Sequence, residues 1–234
     1  MRLFILLTLI TLLTMNYRKL NNRIAEVLSP SECYTYFCLT LKSDFDTLES
    51  FVNQDTLAEY AGVDLSTIQR HIAKFTKEGL IGKDTETHKK DELIFKKNHY
   101  TLLYDKDFEG ELVHWVMIDE QLVKEPISRE LKGFLIMLKI RCFNYYNYCR
   151  YSVRELAETL SIGKTMVDRY LKQAEELKYI KWDKKEKKIK LLRNDIFIIA
   201  RETDINKWRS IYPEVIIDEE FDRKGHYIGS AGTE

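Results

Sequence analysis

The chain has 234 residues, 44% of them hydrophobic and 32% charged, and Lys plus Arg equal Asp plus Glu, so the formal net charge is zero. That length holds one large or two small domains. The balance excludes a globally basic protein, so any polyanion-binding surface must be local; nine glycines and three prolines exclude long disordered linkers and favour helices.

The first residues, "MRLFILLTLITLLTMNYRKL", carry an apolar run from Leu3 to Leu13. It is shorter than the roughly 20 residues a membrane span needs, and no A-x-A cleavage site follows. Met15 opens "MNYRKLNNRI", which reads as an ordinary start. Residues 1–14 are therefore read as a start-site artefact or a dispensable extension, within an N-terminal segment of 1–28. A membrane anchor or signal is the competing reading.

From Ser29 the signals sharpen. Ser29-Pro30-Ser31-Glu32 is a capping box with Pro at the first helical position. The helix it starts carries Tyr34, Phe37, Cys38 and Leu41 at spacings of three and four. "KSDFDTLESF" is a polar break. Asn53 caps a second helix with Leu57, Ala58 and Tyr60, which Gly62 ends. After a turn through Val63, Asp64 and Leu65, Ser66 is expected to cap a third helix with Ile68, Ile72 and Phe75 inside. Gly79 stops it. "LIGKD", a polar tip "TETHKK" and "ELIFKK" then predict a hairpin of two short strands.

This order of helix, helix, turn, helix and hairpin is that of a winged helix. Ala58 allows close helix approach, Gly62 takes the left-handed turn, and Ile68 plugs the core between the helices.

The pattern is written twice. "LAEYAGVDLSTIQRHIAKFTKEGLI" at Leu57–Ile81 returns ninety-nine residues later as "LAETLSIGKTMVDRYLKQAEELKYI" at Leu156–Ile180. The same shift carries Ser29 to Ser128, Asn53 to Ser152, Ala58 to Ala157, Ile68 to Val167 and Ile72 to Leu171. Ser152 forms its own capping box with Glu155. The helix from Ser128 presents Leu131, Phe134, Leu135, Leu138 and Cys142. Ser161 stands where Gly62 stood, a poorer residue for the turn. A second hairpin follows, with Ile180 and Trp182 alternating, Ile189 and Leu191 alternating, and a tip from Lys184 to Lys188.

Two matches in register imply a repeat. The expected fold is mainly α with small β-wings, an α+β class of two tandem winged-helix domains at 29–104 and 128–193. The connector 105–127 is acidic and contains an apolar run, "LVHWVMI", that reads as a packed strand. Residues 194–234 read as a strand, a short helix and a frayed tail.

No Gly-rich phosphate loop, G-x-S-x-G, H-E-x-x-H or zinc spacing occurs, and the five histidines are scattered. The residues therefore imply no enzyme, no catalytic group, no metal and no cofactor. Cys33, Cys38, Cys142 and Cys149 form no C-x-x-C and read as reduced thiols packed as small apolar residues, as in a cytoplasmic protein.

Charge is sorted along the chain. Lys164–Arg193 holds eleven basic and five acidic residues, and Ser66–Tyr100 eight and five. These excesses fall on the third helix and hairpin of each unit, where phosphate contacts would form. Candidate DNA-contacting residues in the first unit are Ser66, Thr67, Gln69, Arg70 and Lys74 on the helix, with Lys89 and Lys90 on the hairpin. In the second they are Lys164, Thr165, Arg169, Lys172 and Gln173, with Lys184, Lys185, Lys187 and Lys188 on the hairpin. Gln pairs with adenine and Arg with guanine in the major groove. Asp168 is read as paired with Lys172 one turn on. His71 and Tyr170 hold equivalent places and are read as half-buried helix residues.

The first unit resembles the winged-helix domain of phage replisome organisers. The likeness rests on Leu28–Pro30, Gln54–Ala58, Thr67–Ile72 and Gly79–Ile81, within about a third of the chain. The tandem layout is similar to that of plasmid replication initiators. The resemblance implies sequence-specific binding of double-stranded DNA in plasmid or phage replication, with replication proteins or a second copy of the chain as further partners and no membrane. A transcriptional regulator and a winged-helix protein-interaction scaffold are the competing readings.

Overall fold

The computed structural model describes residues 16–90, 93–106, 110–142 and 147–199, and at 86–90 and 93–96 the backbone alone. The expectations placed on residues 1–14 and on the segment after Ile199 lie outside the described residues. The chain is mixed α and β, with three small antiparallel sheets among the described residues.

The first unit opens with α2, Pro30–Leu41, which follows the short turn α1, Ile24–Val27. The capping box is present. The Glu32 carboxylate accepts the Ser29 amide at 2.7 Å, and Ser29 Oγ accepts the Glu32 amide at 3.5 Å. Strand β2, Glu49–Ser50, falls within the segment read as a polar break. Helices α3, Gln54–Ala61, and α4, Leu65–Lys77, come next, then β3, Ile81–Lys90, and β4, Leu93–Leu102. The sheet order is β2-β4-β3.

The second unit repeats this order. Helix α6, Arg129–Arg141, is followed by β6, Tyr148–Arg150, then α7, Val153–Thr159, and α8, Lys164–Glu176. Strands β7, Ile180–Asp183, and β8, Lys188–Leu191, complete a sheet ordered β6-β8-β7. The repeat extends to single backbone bonds. The Val63 amide donates to the Ala58 carbonyl and the Ile162 amide to that of Ala157; Leu80 donates to Phe75, and Tyr179 to Ala174. Gly62 has φ 65° and Ser161 φ 52°; Gly79 has φ 67° and Lys178 φ 60°. The turn at Ser161 is therefore the same left-handed turn as at Gly62, although a side chain makes it costlier.

Two local expectations are corrected. Asp64, not Ser66, caps α4, because its carboxylate accepts the Thr67 amide at 2.7 Å and Ser66 lies inside the helix. "TETHKK" is not a tip. Thr85–Lys90 belong to β3, whose ladder runs from Ile81 opposite Leu102 to Lys90 opposite Leu93. Period-2 pairing continues through polar residues when the ladder's hydrogen bonds are satisfied, which composition does not reveal.

The connector is packed. Strand β5, Trp115–Asp119, pairs with β1, Tyr17–Asn21, on one side and with β9, Phe197–Ile198, on the other. This third sheet is drawn from before, between and after the two units. Helix α5, Gln121–Lys124, leads from β5 into the second unit. Helices α2 and α6 pack directly on each other, and the buried side chains form one continuous core through both units. Lys132 donates from Nζ to the Val123 carbonyl at 2.7 Å, and Arg129 donates to the Gly62 carbonyl at 2.8 Å. Lys139 is fully buried and donates to Asn147 Oδ1 at 2.8 Å, while Asn147 Nδ2 donates to the Phe197 carbonyl. Burial pushes the Lys139 ammonium down to about 8. All four cysteines are buried free thiols. Among the described residues no helix is long and apolar enough to cross a membrane.

Candidate nucleic-acid interface

Helix α4 buries Ile68, His71, Ile72 and Phe75. That stripe fixes which face is left outside. Gln69 and Arg70 are exposed on it. Ser66 and Thr67 are tied down by the cap: the Ser66 hydroxyl donates to Asp64 Oδ1 at 2.6 Å and the Thr67 hydroxyl to Oδ2 at 3.0 Å. The Ser66 hydroxyl and then the Thr67 amide pull the Asp64 carboxyl down to about 2. A fixed negative charge thus sits at the start of the helix. Arg70 reaches back to Thr67 Oγ1 at 3.4 Å.

Lys74 is half-buried and engaged within the fold. Its ammonium lies 2.8 Å from Glu32 Oε2, and their side chains are 34% and 14% exposed. Burial pushes the Glu32 carboxyl up, but Lys74 and the Ser29 amide and hydroxyl outweigh that and hold it below the usual carboxylate range. Lys74 ties α4 to the start of α2.

His71 is buried rather than half-buried. Its Nδ1 lies 2.9 Å from Thr35 Oγ1, and the Thr35 hydroxyl donates to the Ser31 carbonyl at 3.1 Å. A hydroxyl has one proton, so both contacts are made together only in the tautomer whose Nδ1–H donates to Thr35. Burial holds the imidazole below its ordinary pKa; Glu32 raises it, and Arg70, Arg129 and Lys74 lower it. The shift of ninety-nine carries His71 to Tyr170 and Thr35 to Phe134. Those two rings stack with centroids 5.1 Å apart. The same contact between helices is polar in one unit and aromatic in the other.

Helix α8 buries Val167, Tyr170, Leu171 and Ala174. Its N-cap is Gly163, which supplies no side-chain acceptor. Lys164, Thr165, Arg169 and Lys172 are exposed and Gln173 is half-buried. The Arg169 guanidinium lies 5.6 Å from the Tyr170 ring centroid. Lys172 meets Asp168 at 2.6 Å, as the spacing predicts. The pair is solvent-exposed, so it holds Lys172 only weakly.

On the second hairpin Lys184, Lys185 and Lys187 are exposed and Lys188 is half-buried at the start of β8. Asp183 Oδ1 accepts the Lys185 amide at 2.9 Å and the Glu186 amide at 3.0 Å, which shapes the turn. Lys184 Nζ lies 4.4 Å from the Trp182 ring and Lys188 Nζ 4.3 Å from that of Tyr148. On the first hairpin the Lys89 and Lys90 backbones pair with Ile94 and Leu93, and their side chains lie outside the described residues.

Arg193, counted in the basic excess, is engaged: it donates to both carboxylate oxygens of Glu125, at 3.0 and 3.1 Å, and lies 2.7 Å from Asp195. Arg150, Lys181 and Lys190 are exposed cations that the choice of candidates passed over. The alternation of Ile180 and Trp182 inward already implied Lys181 outward. Arg150 needed β6, which a three-residue strand does not announce.

Each unit thus presents one helix with an apolar side in the core and a polar, cationic side in solvent, followed by a hairpin. Such a surface can bind phosphates and read base edges. No protein-family model matches the chain, and no curated protein matches it as a relative.

Proposed function

We propose that this protein is a sequence-specific double-stranded DNA-binding protein built on two tandem winged-helix units. The observation that carries this reading is the repeat in backbone detail. Each unit orders helix, strand, helix, helix, strand, strand, and leaves the outer face of its third helix free for a groove. Gln69 and Arg70 in the first unit match Asp168 and Arg169 in the second. An arginine at the same place in both suits guanine, and the differing neighbour suits two unlike half-sites in one target. The role in plasmid or phage replication is supported by the sequence resemblance of the first unit.

The test is duplex binding measured by fluorescence anisotropy across a salt series. Exchanging Lys184, Lys185, Lys187 and Lys188 for Gln should flatten the slope of log K against log salt by up to about 3.6, or roughly 0.9 per contact. Affinity should fall alike on all sequences. A wild-type protein that binds duplex DNA with no salt dependence would rule out the phosphate contacts on which the reading depends.

A further inference from the structure

Residues paired across antiparallel strands share a face of the sheet. In the second unit the register sets Tyr148, Lys190 and Lys181 in one row and Arg150, Lys188 and Asp183 in another. The row between them, Cys149, Ile189 and Trp182, is buried. The two outer rows therefore form the solvent face of this sheet, with four cations and one anion. They point away from the core that the inner row shares with α8. Neighbouring strands lie about 4.8 Å apart and alternate residues about 6.8 Å apart, so the cations form a continuous patch.

Lys181 and Lys190 stand directly opposite each other on this face, both exposed. Like charges in that position destabilise a sheet. The fold does not require them. At the matched places of the first sheet stand Glu49, Thr101 and Gly82 in one row and His99 opposite Asp84 in the other, with Phe51 stacked on His99 at 4.6 Å. Those six places hold two anions and no Lys or Arg. Lys97 lies further along the longer hairpin, with Nζ 4.4 Å from the Phe51 ring. One backbone thus carries opposite charge in the two units, and the unit with the exposed lysine turn is the positive one.

We infer that the outer face of the β6-β8-β7 sheet is a second phosphate-binding surface, which holds the sugar-phosphate backbone of duplex DNA beyond the segment met by α8. The identity of the polyanion rests on the DNA-binding reading above; the surface itself rests on the register and on the difference between the units. DNA that reaches this face must continue past the reading helix and curve around the second unit.

The test compares wild-type protein with a triple variant, Arg150→Gln, Lys181→Gln and Lys190→Thr, the last copying Thr101. Binding is titrated with salt on a duplex of about 20 base pairs, two turns, and on one of about 60, six turns. The variant should match wild type on the short duplex. On the long one its log–log salt slope should be flatter by up to about 2.7. A charge-conserving variant, Arg150→Lys, Lys181→Arg and Lys190→Arg, should keep the wild-type slope. Its losing the slope as well would mean a structural effect and overturn the assignment. Equal slopes for wild type and triple variant on the long duplex would overturn the surface and leave the DNA-binding reading standing. A wild-type protein that binds neither duplex would overturn both.

Discussion

Gly133 of α6 crosses α2 at Pro30 so closely that a β-carbon on Gly133 would lie 1.7 Å from the Pro30 carbonyl oxygen and 2.4 Å from its carbonyl carbon. The atoms in the way are backbone, so no rotamer change relieves the clash. The matching residue of the first unit is Tyr34, also buried. The closeness thus belongs to the join between the units and not to the repeat. Gly133→Ala should force the two helices apart and cost about 3 kcal/mol, the upper end for overpacking. Urea denaturation measures this, and an unchanged midpoint would show that the join yields freely.

Ser161 and Lys178 occupy left-handed backbone that the first unit gives to Gly62 and Gly79. A side chain there costs about 1–2 kcal/mol, against about 0.5–1 kcal/mol of extra chain entropy lost by glycine. Ser161→Gly and Lys178→Gly should each stabilise the protein by about 0.5–1 kcal/mol, and Gly62→Ala should destabilise it by about 1 kcal/mol. Chemical denaturation of the three variants checks both signs together. Destabilisation by both glycine variants would mean that the side chains make contacts worth more than the strain.

His71 makes stability depend on pH. Burial depresses its folded pKa, so the unfolded chain takes up the proton first as pH falls. The neutral ring's contribution is complete above about pH 6.5, the free value. It declines as pH drops below that, and the decline ends at the folded pKa. His71→Gln should flatten the loss of stability between about pH 7 and 5. Thermal unfolding across that range is the measurement, and an equally steep loss in the variant would assign the effect to other groups.

Arg70 and Lys74 lie one turn apart on α4, Arg70 exposed and Lys74 paired with Glu32. Arg70→Ala should relax sequence choice at one or two base pairs, at about 1–3 kcal/mol for a bidentate contact. Lys74→Met should leave both sequence choice and salt slope unchanged and cost up to about 1 kcal/mol of stability through its lost pair with Glu32. A selection experiment on randomised duplexes with both variants separates the roles. A flattened salt slope for Lys74→Met would return that residue to the interface.

The sequence by itself determined what depends on neighbours along the chain. Capping boxes at Ser29 and Ser152, the apolar stripes of α4 and α8 and the left-handed stop at Gly79 are set by residues within about four positions of one another, and the repeat is this local pattern written twice, ninety-nine residues apart. The tertiary structure alone decided what depends on distant partners. Lys74 looks like any exposed lysine until α2 brings Glu32 beside it. Strands β2 and β6 are too short to carry a period, and β1, β5 and β9 pair across separations that no local pattern records. The charged face of the second sheet became legible only when the register placed Lys181 opposite Lys190, because register decides which side chains share a face. The need for glycine at 133 is likewise set by a distant partner, because Pro30 fills the space a β-carbon would need.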